Sequence, residues 1–120
     1  MQKKILVVED EVDVLKVVGF VLKKKGYSVI SALDGEKGLE LVKEERPDLI
    51  LLDFYLPVMD GLALSKKLKA DSELSKIPIL LLTASADNIT QKAKECQAND
   101  YLLKPFDYTV LLQKVKNLIG

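Results

Sequence analysis

Short apolar runs alternate along the chain with longer stretches in which apolar residues recur at helical spacing. Each apolar run predicts a strand, and in chain order the runs are KILVV, YSVISA, DLILLD, IPILLLT and DYLLK. The middle runs are almost uninterrupted by polar residues, which is typical of strands buried on both faces of a parallel sheet. The pattern therefore predicts five strands with buried central members.

The stretches between these runs predict amphipathic helices. Two sets of apolar residues each share one helical face, the first being Val12, Leu15, Gly19 and Leu22 and the second Leu111, Leu112, Val115 and Leu118. Asp34 is placed to cap a helix that begins near Gly35, and Arg46 and Pro47 mark the break before the third strand. Further helices are predicted in LALSKKLKA, which Gly61 opens, and in ADNITQKAKECQA.

Five strands that alternate with five helices predict an α/β protein. Helices then cover both faces of a doubly wound parallel sheet, which gives a three-layer α/β/α arrangement. A chain of 120 residues is long enough for one such core and too short for two, so residues 1–120 are expected to form a single domain. Ligands of open α/β sheets bind beyond the carboxyl ends of the strands, so the residues at those ends are the candidates for chemistry.

Composition argues against several classes of function. The 18 basic and 18 acidic residues cancel to a net charge of zero, so no nucleic acid or anionic membrane partner is indicated. The N-terminal run ILVV ends at once in acidic residues, unlike a signal peptide, and no run approaches membrane-spanning length. The lone Cys96, predicted to be a buried apolar residue, fits a reducing cytoplasm. Without histidine, zinc, haem and histidine-based triads are not expected.

Charged and hydroxyl side chains stand where four of the predicted strands end. They are Glu9, Asp10 and Glu11 after the first strand, Asp53 at the third, Thr83 with Ala84 at the fourth, and Lys104 with Pro105 after the fifth. In a parallel sheet these ends share one edge, where clustered carboxylates repel each other unless a cation intervenes. Oxygen ligands without histidine or cysteine suit magnesium, and magnesium beside a lysine binds phosphoryl oxygens. One carboxylate would remain to attack phosphorus and form an acyl phosphate.

Each of these residues taken alone has an ordinary structural explanation. An acid after a strand often caps the next helix, and Glu11 is expected to do so here, which leaves Glu9 and Asp10 unexplained. Asp53 alone is equally compatible with a turn, and a single threonine or lysine carries little information. Only the placement of all these groups at four strand ends favours a phosphoryl site.

Four motifs together resemble the response-regulator receiver domain of two-component signalling, namely ILVVEDE, LILLDFYLPVMDG, ILLLTA and DYLLKPF. The match covers essentially the whole chain, with the motifs in the family's order and spacing. The resemblance implies a flavodoxin-like fold with strand order 2-1-3-4-5. It also implies a phosphorylation-activated switch that is not a conventional enzyme but catalyses its own magnesium-dependent phosphotransfer and slow dephosphorylation.

The resemblance assigns the chemistry to individual residues. Asp53 corresponds to the phosphoacceptor, which takes its phosphoryl group from a sensor histidine kinase or a histidine phosphotransfer protein. Glu9 and Asp10, with Asp53 and the backbone carbonyl of Tyr55, correspond to the ligands of Mg²⁺. Lys104 corresponds to the lysine that pairs with the phosphoryl group.

Other residues correspond to the parts that respond to phosphorylation. Thr83 matches the hydroxyl residue that bonds the phosphoryl group, and Tyr101 matches the aromatic switch that turns inward as Thr83 moves. This change would alter the surface formed by the fourth helix, the fifth strand and the fifth helix. Pro105 follows a peptide bond that is usually cis in the family. Tyr55 and Ser85 are expected to flank the route of hydrolytic water, where bulky Tyr55 would lengthen the phosphoryl lifetime.

The chain also departs from the family pattern at three positions. Glu9 stands where aspartate is more frequent, which keeps the charge on a longer side chain. Gln97 and Asn99 stand where the family commonly has glycine and aspartate. A glycine would relieve a positive backbone angle at the end of a helix, so Gln97 puts that cap geometry in question.

The resemblance implies a cytoplasmic monomer or phosphorylation-promoted dimer that controls an effector or an output domain. Because the chain stops at the fifth helix, it is expected either to act alone or to be part of a longer regulator. Two other functions remain open. A flavodoxin-like flavin or nucleotide binder would need a glycine- or hydroxyl-rich loop where this chain has EDEVD. A magnesium-dependent phosphatase with an aspartyl nucleophile would need a nearby general acid, and neither Phe54 nor Tyr55 supplies a carboxyl group.

Overall fold

The computed structural model describes residues 2–120, in which five strands alternate with five helices. The strands are β1 (Lys4–Val8), β2 (Ser28–Ala32), β3 (Leu49–Asp53), β4 (Ile79–Thr83) and β5 (Asp100–Leu103). The helices are α1 (Val12–Lys24), α2 (Gly35–Glu45), α3 (Gly61–Lys69), α4 (Ile89–Cys96) and α5 (Tyr108–Ile119), with a short 3-10 turn at Leu74–Lys76. Each predicted strand and helix is present. Within residues 2–120, no helix is both long and apolar enough to cross a membrane.

All five strands form one parallel sheet in the order β2-β1-β3-β4-β5, which confirms the predicted doubly wound topology. Every residue of β3 and β4 is buried, because helices cover both faces of the sheet. Leu52 of β3 lies beside Val8 of β1 and Leu81 of β4, so these three strands end at the same edge. The strand order reverses between β1 and β3, where sheets of this kind bind their ligands.

Successive residues of the central strands point to opposite faces and build separate cores. On one face, β-strand side chains such as Ile5 and Leu51 pack with residues of α1 and α5. On the other face, Leu6 and Ile50 pack with residues of α2 and α3, while Leu81 packs with α4. The predicted buried face of α5 is confirmed, since Leu111 and Val115 are buried in the first core and Leu112 and Leu118 are partly buried against it. The result is the expected three-layer α/β/α fold.

The buried face of α1 differs from the predicted one. Leu22 is fully buried as predicted and so is Val18, which the predicted face did not include, whereas Val12 of that face is 47% exposed. The residues of α1 that meet the core are Val14, Val18 and Leu22, which are spaced four apart, together with Leu15 of the predicted face. Val12 lies two residues from Val14, a rotation of about 200° around the helix axis. The prediction for Val12 is therefore wrong.

Three helix ends, two of α2 and one of α4, have well-defined cap geometry. Asp34 Oδ1 accepts a hydrogen bond from the backbone N–H of Lys37 at 2.8 Å, which confirms the predicted cap of α2. Arg46 ends the same helix in the left-handed conformation, with φ of 47°. Gln97 ends α4 in that conformation as well, with φ of 53°. The glycine-like cap is therefore kept, although a glutamine occupies it.

Candidate functional site

Lys104 lies at the carboxyl edge of the sheet between carboxylates that come from different strands. Its Nζ is 2.8 Å from Asp53 Oδ2 and forms a second ion pair with Glu9. Glu9 and Asp53 are both buried, and the Lys104 side chain is only 9% exposed. Because a buried charge is costly unless it is paired, Lys104 is what makes two buried acids tolerable here.

Glu11 turns toward Lys104 and does not cap α1 with its side chain. Its Oε1 lies 3.5 Å from Lys104 Nζ, and it forms no capping hydrogen bond. The N–H of Glu11 itself donates to Glu9 Oε2 at 3.1 Å, so Glu9 supplies the acceptor at this helix start. Glu11 therefore occupies the expected position at the start of α1, where its carbonyl accepts a hydrogen bond from the N–H of Leu15 at 3.0 Å, but its side chain does not form the expected cap.

Three carboxylates at this edge offer a possible set of metal ligands. Glu9, Asp10 and Asp53 each contribute an oxygen, and these oxygens lie within 4.8 Å of one another. Two of the residues are buried and Asp10 is exposed, so the cluster opens to solvent on one side. Magnesium prefers oxygen ligands and keeps several of its waters, which the exposed side would accommodate. The donor set therefore fits the predicted ion.

Burial and ion pairing shift the pKa values of two groups in this cluster. Burial raises the pKa of Glu9 from 4.5 to about 7, and the hydrogen bonds from Lys104 and from the Glu11 backbone oppose this only in part. Burial lowers the pKa of Lys104, but its hydrogen bonds to Asp53 and Glu9 outweigh burial and raise the pKa above its ordinary value. The raised pKa of Lys104 has the sign expected beside two carboxylates, and the raised pKa of Glu9 has the sign expected of a carboxylate removed from water.

Backbone contacts fix the direction of the Asp53 carboxylate. Oδ1 accepts a hydrogen bond from the N–H of Tyr55 at 3.0 Å, while Oδ2 faces Lys104. Gly61 then brings the loop back to the strand, donating its N–H to the carbonyl of Phe54 at 2.9 Å. A Cβ on Gly61 would lie 2.4 Å from the Asp53 carbonyl oxygen, so a glycine is needed for this close approach. Gly61 therefore lets the loop LPVMDG fold back against the end of β3.

Thr83 and Ser85 line the neighbouring loop after β4. Thr83 is fully buried, and its hydroxyl oxygen accepts a hydrogen bond from the N–H of Ser85 at 3.2 Å. Ser85 Oγ in turn accepts one from the N–H of Asp87, also at 3.2 Å. The bond to Thr83 uses an oxygen lone pair, so the hydroxyl proton remains able to donate. The Thr83 side chain is thus held in place while its hydroxyl can still donate a hydrogen bond to a ligand.

Tyr101 lies apart from the carboxylates, on the outer strand β5. Its side chain is 36% exposed, and its N–H donates to Asp100 Oδ1 at 2.8 Å. Asp100 also pairs with Lys114 of α5 at 2.9 Å, which joins β5 to that helix. The peptide bond between Lys104 and Pro105 is cis. Tyr101, the predicted switch residue, is therefore partly exposed on β5, next to the residue that joins this strand to α5.

Two contacts escape prediction from the sequence, one beside the site and one at the opposite, amino-terminal edge of the sheet, where β4 and β5 begin. Lys92 of α4, to which the sequence assigns no role, lies over the rings of Phe54 and Tyr55. Asn99 Oδ1 accepts a hydrogen bond from the N–H of Ile79 at 3.0 Å, and the Asn99 N–H donates to the Ile79 carbonyl at 2.8 Å. Both contacts join segments far apart in the chain, and no local pattern signals such a pairing.

A comparison with known families matches residues 5–116 to the response regulator receiver domain. A curated relative, the alkaline phosphatase synthesis transcriptional regulatory protein PhoP of Bacillus subtilis, is 39% identical over 120 residues. The alignment covers 99% of this chain and 49% of PhoP, so the chain spans about half the length of that relative.

Solved structures agree with this assignment over the whole length of the chain. A putative response regulator from Chloroflexus aurantiacus superposes with a TM-score of 0.93 at 36% identity, covering 99% of this chain and 98% of its own. The receiver domain of sensor histidine kinase PA1611 from Pseudomonas aeruginosa, solved with a magnesium ion coordinated in its active-site cleft, has a TM-score of 0.88 at 32% identity. That alignment covers 100% of this chain and 99% of the PA1611 domain.

Proposed function

Since this chain belongs to the response regulator receiver domain family of two-component signalling, we propose that Asp53 is the aspartate that accepts the phosphoryl group. One observation carries the assignment. The Asp53 carboxylate is buried, its Oδ2 lies 2.8 Å from Lys104, and Glu9 and Asp10 complete the acidic cluster. We further propose that residues 1–120 make up a single receiver domain.

The transfer needs little from the protein beyond position and charge. An Asp53 oxygen forms a bond to phosphorus while the bond between phosphorus and nitrogen of a donor phosphohistidine breaks. The N–H of Tyr55 holds the attacking carboxylate in one direction, as the 3.0 Å hydrogen bond to Oδ1 indicates. The Lys104 ammonium neutralises negative charge on the phosphoryl oxygens, and the Thr83 hydroxyl donates a hydrogen bond to one of them.

Glu9, Asp10 and Asp53 are the side chains proposed to hold magnesium, together with the backbone carbonyl of Tyr55. When bound, the ion would supply further positive charge to the phosphoryl oxygens. The support for this assignment is the oxygen donor set and the presence of three clustered carboxylates where one ammonium group, that of Lys104, pairs with Glu9 and Asp53. The longer arm of glutamate relative to aspartate is compatible with contact through a water molecule.

Phosphorylation would act on the rest of the protein through charge. A phosphoryl group adds about −1.5 to −2 charges, taking the value for hydroxyl phosphoesters as a guide. We propose that this charge draws the Thr83 hydroxyl toward Asp53 and that Tyr101, 36% exposed on β5, turns inward into the vacated space. The protein would then shift from one conformation of its α4-β5-α5 surface to a second conformation.

The proposed partners follow from this role. A sensor histidine kinase or a histidine phosphotransfer protein would supply the phosphoryl group, and an effector or output domain would bind the α4-β5-α5 surface. We also propose a cytoplasmic location, a monomer or phosphorylation-promoted dimer, and slow hydrolysis of the acyl phosphate by the domain itself. No direct binding of nucleic acid is proposed for this domain, whose net charge is zero.

The experiment that tests the function is phosphorylation in the test tube. The protein is incubated with magnesium and a small acyl phosphate donor, and its intact mass is measured. We expect an adduct of one phosphoryl group in the wild type and at least about a tenfold smaller yield in Asp53→Asn, because the amide lacks the nucleophilic oxyanion.

Asp60→Asn is the matched control, since Asp60 lies in the same loop and caps α3 through the N–H of Ala63 at 2.8 Å. Asparagine caps helices as well as aspartate does, so this variant should keep the wild-type adduct. An equal adduct in Asp53→Asn would contradict the assignment. Turnover of phosphate monoesters at enzyme-like rates would support the phosphatase alternative.

A further inference from the structure

Lys92 of α4 faces both aromatic residues that follow Asp53. Its Nζ lies 5.3 Å from the centre of the Phe54 ring and 5.1 Å from that of Tyr55. The two rings meet edge to face, with their centres 5.0 Å apart. These distances are within the range of about 6 Å at which an ammonium group is attracted to aromatic faces. Among the ion pairs formed within residues 2–120, none involves Lys92, so the rings are its observed partners.

The two rings differ in how firmly the rest of the protein holds them. Phe54 is half-buried and packs against the core under α4, next to Ala93 and Cys96. Tyr55 is 54% exposed, although its backbone N–H is fixed by Asp53 Oδ1. The Tyr55 ring therefore relies on its two neighbours, Phe54 and Lys92, to keep one position at the surface.

We propose that Lys92 is a positioning residue that holds the Tyr55 ring beside the acceptor and thereby slows loss of the phosphoryl group. The proposal rests on the function assigned to Asp53. In the loss reaction, a water oxygen forms a bond to phosphorus as the bond from phosphorus to the Asp53 oxygen breaks. Inorganic phosphate leaves with the protons of the water, and the carboxylate is restored. Because the attacking and leaving oxygens must lie roughly in line, a fixed ring near the acceptor limits the approach of water.

The contact also joins two parts of the fold that are separate in sequence. Tyr55 belongs to the loop between β3 and α3, whereas Lys92 belongs to α4, part of the surface proposed to bind partners. A shift of α4 would withdraw the ammonium from the rings and free Tyr55. The lifetime of the phosphoryl group is thus linked to the position of α4.

The test measures decay of the phosphoryl group after the small acyl phosphate donor is removed, in the presence of magnesium. Lys92→Met keeps most of the apolar stem and removes the charge, so we expect about two- to fivefold faster decay. Lys92→Arg restores a cation above the rings and should restore the wild-type rate. Lys94→Met changes an exposed lysine on the same helix, where decay should remain at the wild-type rate.

Repeating the measurement in a Tyr55→Ala protein separates this role of Lys92 from a general effect on folding. If Lys92 acts through Tyr55, then Lys92→Met should not accelerate decay further in a Tyr55→Ala protein. Equal decay in Lys92→Met and wild type, full acceleration in the Tyr55→Ala background, or failure of Lys92→Arg to restore the rate would each overturn the inference. Absence of any adduct in the wild type would instead overturn the proposed function, and this inference with it.

Discussion

Single charged residues at the sheet edge are arranged so that one ammonium group serves several carboxylates. Lys104 pairs with Glu9 and Asp53, which are buried, and approaches Glu11 at 3.5 Å. The raised pKa of Glu9 shows that burial is not fully compensated. A buried charge whose desolvation is only partly offset by its partners is typical of functional sites, where residues needed for chemistry lower the stability of the fold.

Cys96 behaves in the opposite way, as a structural residue. It is buried next to Leu81 and Ala93, which confirms the sequence-based prediction. Burial raises the pKa of its thiol above the ordinary value of 9.0. At pH 8 we therefore expect alkylation by iodoacetamide to be about tenfold slower, or more, in the folded protein than in urea.

The raised pKa of Cys96 also predicts the sign of a pH effect on stability. The folded state favours the neutral thiol, so its contribution is full below pH 9 and is lost as pH rises above the unfolded value toward the folded one. The free energy of unfolding, measured by urea titration between pH 8 and pH 10, should fall more steeply in wild type than in Cys96→Ala. Parallel curves for the two proteins would show that burial does not shift this thiol.

Among the elements, α4 has the weakest local support. It has eight residues, and the residues flanking it, Asn88 and Gln97, are both left-handed with φ of 53°. Only Ala93 and Cys96 of this helix are buried. Short helices depend on tertiary packing, and segments with few buried contacts open at the lowest free energy. α4 is therefore the helix best placed to shift when the site changes its charge.

Relief of the left-handed residue at the end of α4 should stabilise the protein. Gln97→Gly removes the Cβ strain at φ of 53°, so we expect the free energy of unfolding to rise by about 0.5–1 kcal/mol. Gln91→Gly makes the same side-chain change inside α4, where it should lower stability by about 1 kcal/mol. Urea titration of both variants measures the difference. A loss of stability in Gln97→Gly would show that the glutamine side chain, not the backbone angle, dominates at this end.

At the scale of the whole molecule, the buried parallel sheet acts as a rigid base for a polar edge. β3 and β4 are buried throughout, and helices pack on both sides of them. The polar residues of these two strands, Asp53 and Thr83, stand at their carboxyl ends. A ligand at that edge binds the native fold and not the unfolded chain, so it should stabilise the entire domain.

Magnesium should therefore raise global stability in a way that depends on the acidic cluster. At ten times its Kd, the ion is expected to add about 1.4 kcal/mol to the free energy of unfolding, and EDTA should remove this gain. Asp10→Asn should abolish most of the effect, since Asp10 is the exposed member of the cluster. Asp13→Asn is the matched control, an exposed acid on α1, and should keep it. An equal gain in both variants would place the ion elsewhere.

Much of the fold follows from the sequence alone, because its signals are local. The apolar runs mark all five strands, and residues such as Asp34 and Arg46 mark helix ends through capping and backbone conformation. Parallel topology then dictates that Asp53 and Lys104 come to one edge, and the structure brings them within 2.8 Å. Periodicity was less reliable for α1, where apolar residues surround the helix and only packing selects Val18 and Leu22.

Tertiary structure alone decided how the groups at that edge are shared. Lys104 and Glu9 are 95 residues apart in the chain, and Lys104 and Asp53 are 51 apart. No local pattern specifies that one ammonium group pairs with both acids and also approaches the carboxylate of Glu11. The contact of Lys92 with two aromatic rings is likewise not predictable from the sequence. Contacts of this kind depend on distances between packed layers, and those distances are set only when the sheet and its helices come together.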